Sequence, residues 1–575
     1  MRMLVPRRNP RFVQWFVLAL VALAGAASVR AQVVIAPAQP VIGSGNTVSA
    51  DPRVPAPDTK SCTVSLFENL EFADFNTKNF TYTPPSDCPG PWAKVVFTAD
   101  FTVTVGIQYD RTGEFYLGGA NLFFGTTAEP GATLSPSWHV ERDVTDLSSV
   151  FTASQAGTAL LGNFVGVYNG VDYNGIIYAN AHLVFYKASW QHPAPITPSV
   201  VVGLPGDSGP AILNTSSSVY TQSVTLPTNV VAAYLDVTAQ SQIGDEFWYT
   251  CVPNDLASEL ESCGNTGFRE TEITIDGTPA GVAPVYPWIY TGGIDPFLWA
   301  PLPGVQTLNF VPYRVDLTPF AALLSNGASH AVGIQVYNAN GYFQTSANLL
   351  VYTDPHLKQV TGALETNTLA AEPSPDITNT ITTSSSGNVT GNVTTTSNRK
   401  YTIAGYINTW QGRVRTTVNR TVDFAQTETF NISATQDQQD IVQATKVYGD
   451  TETSIFGFTF HNPVSYSYPF KLDYLYAVNP DGSSYQTTMT DQQDLVSTGQ
   501  PGRWPIGSAS NLSNQVVSQD TLNFDSSGNF AGNTGAKSWQ NYVSTDSFGG
   551  CYSQKLTSAG GVLTGVVNGA ACHPW

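Results

Sequence analysis

The sequence predicts an all-β chain in which two β-domains are followed by a third β-rich region. Forty-nine glycines and 37 prolines punctuate a chain rich in Thr, Val, Tyr and Phe, a composition of strands and turns rather than helices. After residue 31 no apolar stripe at helical spacing runs longer than about two turns. Several segments instead alternate with a period of two. In residues 97–107, Phe97, Ala99, Phe101, Val103, Val105 and Ile107 alternate with Thr98, Asp100, Thr102, Thr104 and Gly106, as in a half-buried strand. A chain of 575 residues exceeds one core, so roughly two to four domains are expected.

Residues 1–31 read as a secretory leader. Arg7, Arg8 and Arg11 precede an apolar run over 16–27, and Val29-Arg30-Ala31 offers a small-residue cleavage site. The run is short for a bilayer span, and no later stretch is apolar enough to cross as a helix. The expected location is therefore secreted or periplasmic, with no membrane partner. Cleavage would remove five arginines and no acid, taking the net charge from −18 to −23, which excludes nucleic acid as a partner. A linker rich in Pro, Ala and Val, 32–60, leads into the first domain, 61–190. There the 97–107 alternation runs directly into Tyr109-Asp110-Arg111. A Pro-rich connector, 191–210, precedes the second domain, 211–358. The C-terminal β-rich region, 359–575, opens with a Ser/Thr/Asn/Gly/Val tract at 376–398 and continues in alternating segments such as 421–432. A monomer is expected.

Six cysteines fall into three sequence-local pairs, Cys62/Cys88, Cys251/Cys263 and Cys551/Cys572. In an exported chain these read as disulfides. No C-x-x-C occurs and the seven histidines are scattered, so no metal is expected. Gly206-Asp207-Ser208-Gly209-Pro210 has the look of a serine-protease nucleophile. It lacks an upstream histidine segment of the kind that chemistry needs. No P-loop, dinucleotide fingerprint or H-E-x-x-H is present.

Three clusters of acids carry the candidate chemistry. Asp110-Arg111 stands where a strong strand ends. It reads either as an exposed pair at a turn or as a catalytic carboxylate oriented by a guanidinium. Asp245-Glu246-Phe247-Trp248-Tyr249 sets two acids beside aromatic rings, a usual surface for a sugar, since a ring covers the apolar face while an acid accepts hydroxyl hydrogens. Adjacent residues of a strand point to opposite faces, so only one of the two acids would enter a given pocket. In Arg269-Glu270, Glu270 shares a face with Glu272, and like charges there would raise each other's pKa; a solvated face has the same pattern. Trp288, Trp299 and Glu129 with Trp138 lie near turns and could line a cleft or plug a core.

These words, in this order, resemble the peptide:N-glycanase A type of glycopeptide amidase. The resemblance rests on Q-Y-D-R at 108–111, T-A-E-P at 127–130, W-H-V-E-R-D-V-T at 138–145, D-E-F-W-Y at 245–249, N-T-G-F-R-E at 265–270, P-W-I-Y-T-G-G-I at 287–294 and D-L-T-P-F at 316–320. It covers roughly residues 62–355. It implies hydrolysis of the amide between asparagine and the first N-acetylglucosamine of an N-glycopeptide or N-glycoprotein, with no cofactor; the scarcity of cations to hold carboxylates ionised suits work at low pH. A more distant similarity to the peptide:N-glycanase F type implies two tandem jelly-roll-like β-sandwiches with the site between them, and matches Asp110-Arg111 to that type's catalytic aspartate. Asn265 stands where that type has a second glutamate, and Tyr168-Asn169 where it has a third acid. The second acid here is accordingly expected from Glu270, Glu246 or Asp245, with Arg269 orienting a carboxylate and Trp248, Trp288 and Trp299 holding the chitobiose core. An endo-acting glycoside hydrolase and a non-catalytic carbohydrate-binding β-protein are the competing readings.

Overall fold

The computed structural model describes residues 40–129, 131–500, 508–547 and 549–572. The expected leader and the first residues of the linker lie outside the described residues. The all-β expectation holds. The first domain contains β1 (Ser61–Phe72), β2 (Lys78–Tyr82), β3 (Trp92–Val103), β4 (Thr112–Leu117), β5 (Ala120–Thr126), β6 (Ser137–Asp143), β7 (Gln155–Leu161), a small hairpin of β8 (Gly166–Tyr168) and β9 (Val171–Tyr173), and β10 (Ile177–Lys187). Its two four-stranded sheets have the orders β1-β10-β3-β6 and β2-β7-β4-β5, a jelly roll. Between them lies an aromatic core. The ring of Phe115 packs within 6.4 Å, centroid to centroid, of Phe67, Phe72, Phe97, Phe101 and Phe123.

The alternating segment at 97–107 is β3, which starts earlier and stops at Val103. Val105 and Ile107 leave the core and are exposed. At Gly106 φ is +151°, and a Cβ there would lie 2.3 Å from Asn174 Oδ1. The departure of the chain from the sheet at this glycine aims Asp110 and Arg111 away from the domain core.

The second domain repeats the topology with β11 (Val200–Leu204), β12 (Ala211–Leu213), β13 (Val219–Thr225), β14 (Val230–Gln242), β15 (Glu270–Ile275), β16 (Thr278–Pro284), β17 (Tyr313–Asp316), β18 (Ser329–Tyr337) and β19 (Tyr342–Thr353). Its sheets run β11-β19-β14-β17, with β12 also on β19, and β13-β18-β15-β16. Part of the expected connector is thus a strand, since Val200–Leu204 pairs with β19. Ser208 of the protease-like motif lies in the tight turn that follows, where Asp207 accepts a hydrogen bond from Gly119 N.

The two jelly rolls meet through outward faces that are polar. Along β4, Gly113, Phe115 and Leu117 are buried in the first core, so Thr112, Glu114 and Tyr116 point to the second domain. Gln242 Nε2 donates to Thr112 Oγ1 at 3.0 Å, and the hydroxyls of Tyr116 and Ser346 lie 3.1 Å apart. Asn121 and Asn348 exchange two bonds of 2.9 Å. A side chain at Gly203 would meet the carbonyl of Gly119 at 1.6 Å, so this close approach requires glycine.

The C-terminal region is one 12-stranded sheet. Three short strands, β20 (Thr361–Asn367), β21 (Asp376–Asn379) and β22 (Thr382–Thr383), pair along one side of β23 (Val389–Thr409). Then follow β24 (Gly412–Ser433), β25 (Gln436–Ile455), β26 (Phe458–Val478), β27 (Ser484–Gln500), β28 (Ser508–Phe524), β29 (Phe530–Asp546), β30 (Cys551–Ala559) and β31 (Val562–Asn568), each paired to the next. This meander packs on the second domain: Tyr401, Ile403 and Val422 join its core, and Phe424, Ile441 and Phe470 pack beside Trp248 and Tyr249. Part of the expected linker is pinned between domains. Ala50 N donates to Gln540 Oε1, and Arg53 pairs with Glu141 of β6 at 2.8 Å. All three expected disulfides, Cys62–Cys88, Cys251–Cys263 and Cys551–Cys572, are formed. Among the described residues no helix is long and apolar enough to cross a membrane.

Candidate active site

A cavity of about 510 Å³ opens where the two jelly rolls meet. The segment before β4 supplies Tyr109, Asp110 and Arg111; β4 itself supplies Thr112 and Glu114; β14 and β19 supply Gln240, Gln242, Tyr342 and Gln344; Glu246 and Tyr290 come from loops of the second domain. Asp110 Oδ2 accepts a 2.8 Å hydrogen bond from Gly292 N. The Asp110 N–H donates to Glu129 Oε2 at 3.1 Å, and Glu129 N donates to Thr291 Oγ1 at 2.9 Å. The turn of residues 291–293 therefore clasps both acids. A Cβ at Gly292 would lie 2.0 Å from Glu129 Oε2 and 3.1 Å from Asp110 Oδ2, so any side chain here would have to displace the Glu129 carboxyl.

Arg111 is 5% exposed. Its Nη1 donates to the Tyr109 carbonyl and to Gln108 Oε1, and its guanidinium carbon lies 3.8 Å from the Tyr109 ring centroid. Its Nε and Nη2 have no protein partner. These are two donors of a buried cation beside the cavity, an arrangement suited to a negative oxygen.

Burial raises the pKa of Asp110, while the Gly292 N–H and the Arg111 charge oppose the rise. Burial, then the charge of Asp110, pushes Glu129 up to about 7. Glu246 is also pushed to about 7, by burial first and then by Asp110 and Glu129. Three carboxyls that feel one another cannot all be charged. The amide and guanidinium beside Asp110 place the single negative charge there, leaving Glu129 and Glu246 as neutral acids below about pH 7.

Of the expected site residues, Asp110, Arg111, Glu246 and Glu129 come together here. The others do not, for identifiable reasons. Asp245 points the opposite way from Glu246, into a fully buried ion pair with Arg269 (2.9 Å), and also accepts from Asn340 N and Tyr342 N. Arg269 spends its remaining donors on the carbonyls of Asn265, Thr266 and Phe268. Glu270 is paired with Arg399 of β23 beneath the C-terminal sheet, with Glu272 beside it; their shared face is buried rather than solvated and does not line the cavity. Asn265 sits on the Cys251–Cys263 side of the molecule at φ +68°, bonded to Asn254. None of the four tryptophans offers a sugar platform. Trp138 stacks on Phe101, Trp248 is wholly buried, Trp288 packs on Phe310, and Trp299 is buried with its indole N–H on the Gly293 carbonyl.

The cavity's rings are Phe75, Tyr109, Tyr290 and Tyr342, none of them among the tryptophans expected to hold the sugar. Glu114, Gln240, Gln242 and Gln344 were missed as well. Their signal lies in the period-two runs Thr112-x-Glu114-x-Tyr116, Gln240-x-Gln242 and Gln344-x-Ser346-x-Asn348, strand faces that are polar where a core face is apolar. Among the described residues one group has metal-ligand spacing, Asp450, Glu452 and His461; it lies on the β25–β26 pair and does not line the cavity.

Residues 52–370 match the family described as peptide N-acetyl-beta-D-glucosaminyl asparaginase amidase A. A peptide-N4-(N-acetyl-beta-glucosaminyl)asparagine amidase A of Prunus dulcis is 28% identical over 340 residues, covering 55% of this chain and 58% of the relative. The chain thus spans little more than half the length of that curated relative. Among solved structures, PNGase F, described as a glycosylasparaginase from Flavobacterium meningosepticum, is 14% identical, with a TM-score of 0.34 over 51% of this chain and 96% of that one. The structure of PNGF-II is 13% identical, with a TM-score of 0.36 over 52% and 66%.

Proposed function

The chain belongs to the peptide N-acetyl-beta-D-glucosaminyl asparaginase amidase A family, and we propose on that basis that it hydrolyses the amide joining asparagine to the first N-acetylglucosamine of N-glycopeptides or N-glycoproteins. The observation that carries this reading is the meeting of Asp110 and Glu246 with the guanidinium of Arg111 at one cavity, with Glu129 bonded to the Asp110 backbone behind them. An amide needs three things at once: a base for the attacking water, a cation for the developing oxyanion, and an acid for the departing nitrogen. Ionised Asp110 takes a proton from water as its oxygen bonds to the side-chain carbonyl carbon. The Arg111 guanidinium, which lines the cavity, stabilises the oxyanion through its charge. Neutral Glu246 protonates the nitrogen as the C–N bond breaks. Asparagine becomes aspartic acid and the glycan leaves as a glycosylamine. Glu129 positions Asp110 through its backbone N–H. An exported enzyme working at acid pH is the setting that these neutral acids and the leader favour.

The test is incubation of a defined N-glycopeptide with the full chain, reading peptide and glycan masses. Wild type should yield an aspartate-containing peptide with no sugar attached, and D110N, with unchanged circular dichroism, should lose at least about 1,000-fold in rate. A peptide that keeps one N-acetylglucosamine would identify an endo-acting glycosidase instead, and undiminished D110N activity would remove the assignment.

A further inference from the structure

The floor of the cavity contains two groups that the hydrolytic scheme does not use. Glu114 is 3% exposed and reaches the cavity. Among the described residues its hydrogen-bond partner is the Tyr116 hydroxyl, which donates to Oε2, so Oε1 is left for a ligand. Gln242 is oriented by a relay. Gln240 Nε2 donates to the carbonyl of Ser241 at 2.9 Å and to Tyr290 Oη at 2.6 Å. A carbonyl can only accept, which fixes the Gln240 amide with its oxygen toward Gln242. Gln242 Nε2 accordingly donates to Gln240 Oε1 at 3.0 Å, and also faces Thr112 Oγ1 at 3.0 Å and Gln344 Oε1 at 3.3 Å. Its two hydrogens are used up within the protein. What Gln242 offers the cavity is its carbonyl oxygen.

We propose that Glu114 and Gln242 together read the 2-acetamido group of the sugar attached to asparagine, the carboxyl donating to the acetamido carbonyl and the Gln242 carbonyl accepting the acetamido N–H. This specificity role rests on the amidase reading above. A hydroxyl also donates and accepts, but both from a single oxygen, whereas the acetamido group sets its N–H and its carbonyl oxygen on separate atoms. A secondary amide presents one acceptor and one donor on a rigid plane, the pairing this floor complements. Burial holds Glu114 up at about 8, so its donor proton is present throughout the acid and neutral range. The polar outward faces of β4 and β14 place the two groups beside Asp110, where the proximal sugar must sit if its amide is to reach the acids.

Two synthetic glycopeptides test it, one with chitobiose on asparagine and one in which only the proximal acetamido group is replaced by hydroxyl. Wild type should prefer the first by about 10- to 100-fold or more in kcat/KM, the loss expected when buried polar groups go unpaired. E114L and Q242L should lose most of that preference, by a fall on the acetamido substrate that exceeds the fall on the hydroxyl analogue. E114Q, whose amide still donates, should keep the preference; it also guards against a failure of E114L to fold, which circular dichroism detects. Equal activity of wild type on both substrates, or an equal loss on both in E114L and Q242L, overturns the assignment while leaving the amidase reading intact. Cleavage of neither substrate by wild type overturns the amidase reading itself.

Discussion

Asp110, Glu129 and Glu246 have one environment between them but unequal partners. Asp110 and Glu129 each accept a backbone N–H and feel the Arg111 guanidinium, but Glu129 is also raised by the charge of Asp110, and Glu246 has neither partner, so ionisation begins at Asp110. Glu246 holds its proton until about pH 7. The acid function is therefore fully available below that value and is lost as pH rises through it. We expect kcat to fall about tenfold per unit above pH 7, and E246Q to be slow with that alkaline limb removed; a wild-type rate that climbs from pH 6 to pH 9 would contradict the assignment of Glu246 as acid. Gly292 bears on the same chemistry through space alone. In G292A the added methyl would have to displace Glu129 Oε2 from 2.0 Å and crowd Asp110 Oδ2 at 3.1 Å. A displacement of about 1 Å at a reacting group costs on the order of 100-fold. G292A should show that loss in kcat with near-normal thermal stability, measured side by side on one preparation.

The strands explain why part of this was legible in the chain and part was not. Phe97, Ala99, Phe101 and Val103 alternate because one face of β3 is core, and period two is the strongest signal a half-buried strand can leave. Asp110-Arg111 stood out as a charged pair at the end of that signal. Glu246 and Asp245 could not be separated by sequence, because opposite directions in a tight turn depend on Arg269, 24 residues away. The tryptophans misled for a related reason: a large ring near a turn is equally a plug, and here Phe101 and Phe310 cover the rings of Trp138 and Trp288. Glu270 and Glu272 read equally as an acid-catalyst face or a solvated one because Arg399, which buries and pairs them, lies in β23, far along the chain. That pairing has a measurable consequence. R399M should destabilise the fold by about 3 kcal/mol at pH 8, and by less at pH 5. Glu270 is raised by burial and Glu272 is pushed to about 7, so both can shed their charge at acid pH when Arg399 is gone. Urea unfolding at the two pH values reads the difference, and an equal cost at both would show that the ion pair contributes nothing specific.

Across the whole molecule, the C-terminal sheet is held to the second domain by amides and buried acids rather than by charge pairs alone. Gln426 donates to the Tyr249 carbonyl, Gln486 to that of Ile294 and Gln492 to that of Pro287, so the sheet grips the same loops that carry Glu246 and Gly292. Among these amides sit acids raised by burial: Glu428 to about 8, between Gln426 and Gln439; Asp494 to about 7, on Gln306 with Asp51 nearby; and Asp295 to about 7, facing Asp520. Asp520 is itself raised and bonded to Asn533. In the unfolded chain these groups titrate near 4. Between about pH 4 and pH 7 to 8 the folded form therefore holds more protons than the unfolded one. Stability is greatest at the acid end and falls as pH rises through that window, by at most about 1.4 kcal/mol per group and pH unit. The loss should appear first at the seam: hydrogen exchange at residues 287–295 and on β24 to β28 should accelerate between pH 5 and pH 8, after correction for intrinsic rates, before the aromatic core around Phe115 responds. The same titration that removes the catalytic proton from Glu246 would then loosen the support behind it, and a melting temperature that rises from pH 5 to pH 8 would refute this coupling of the sheet to the site.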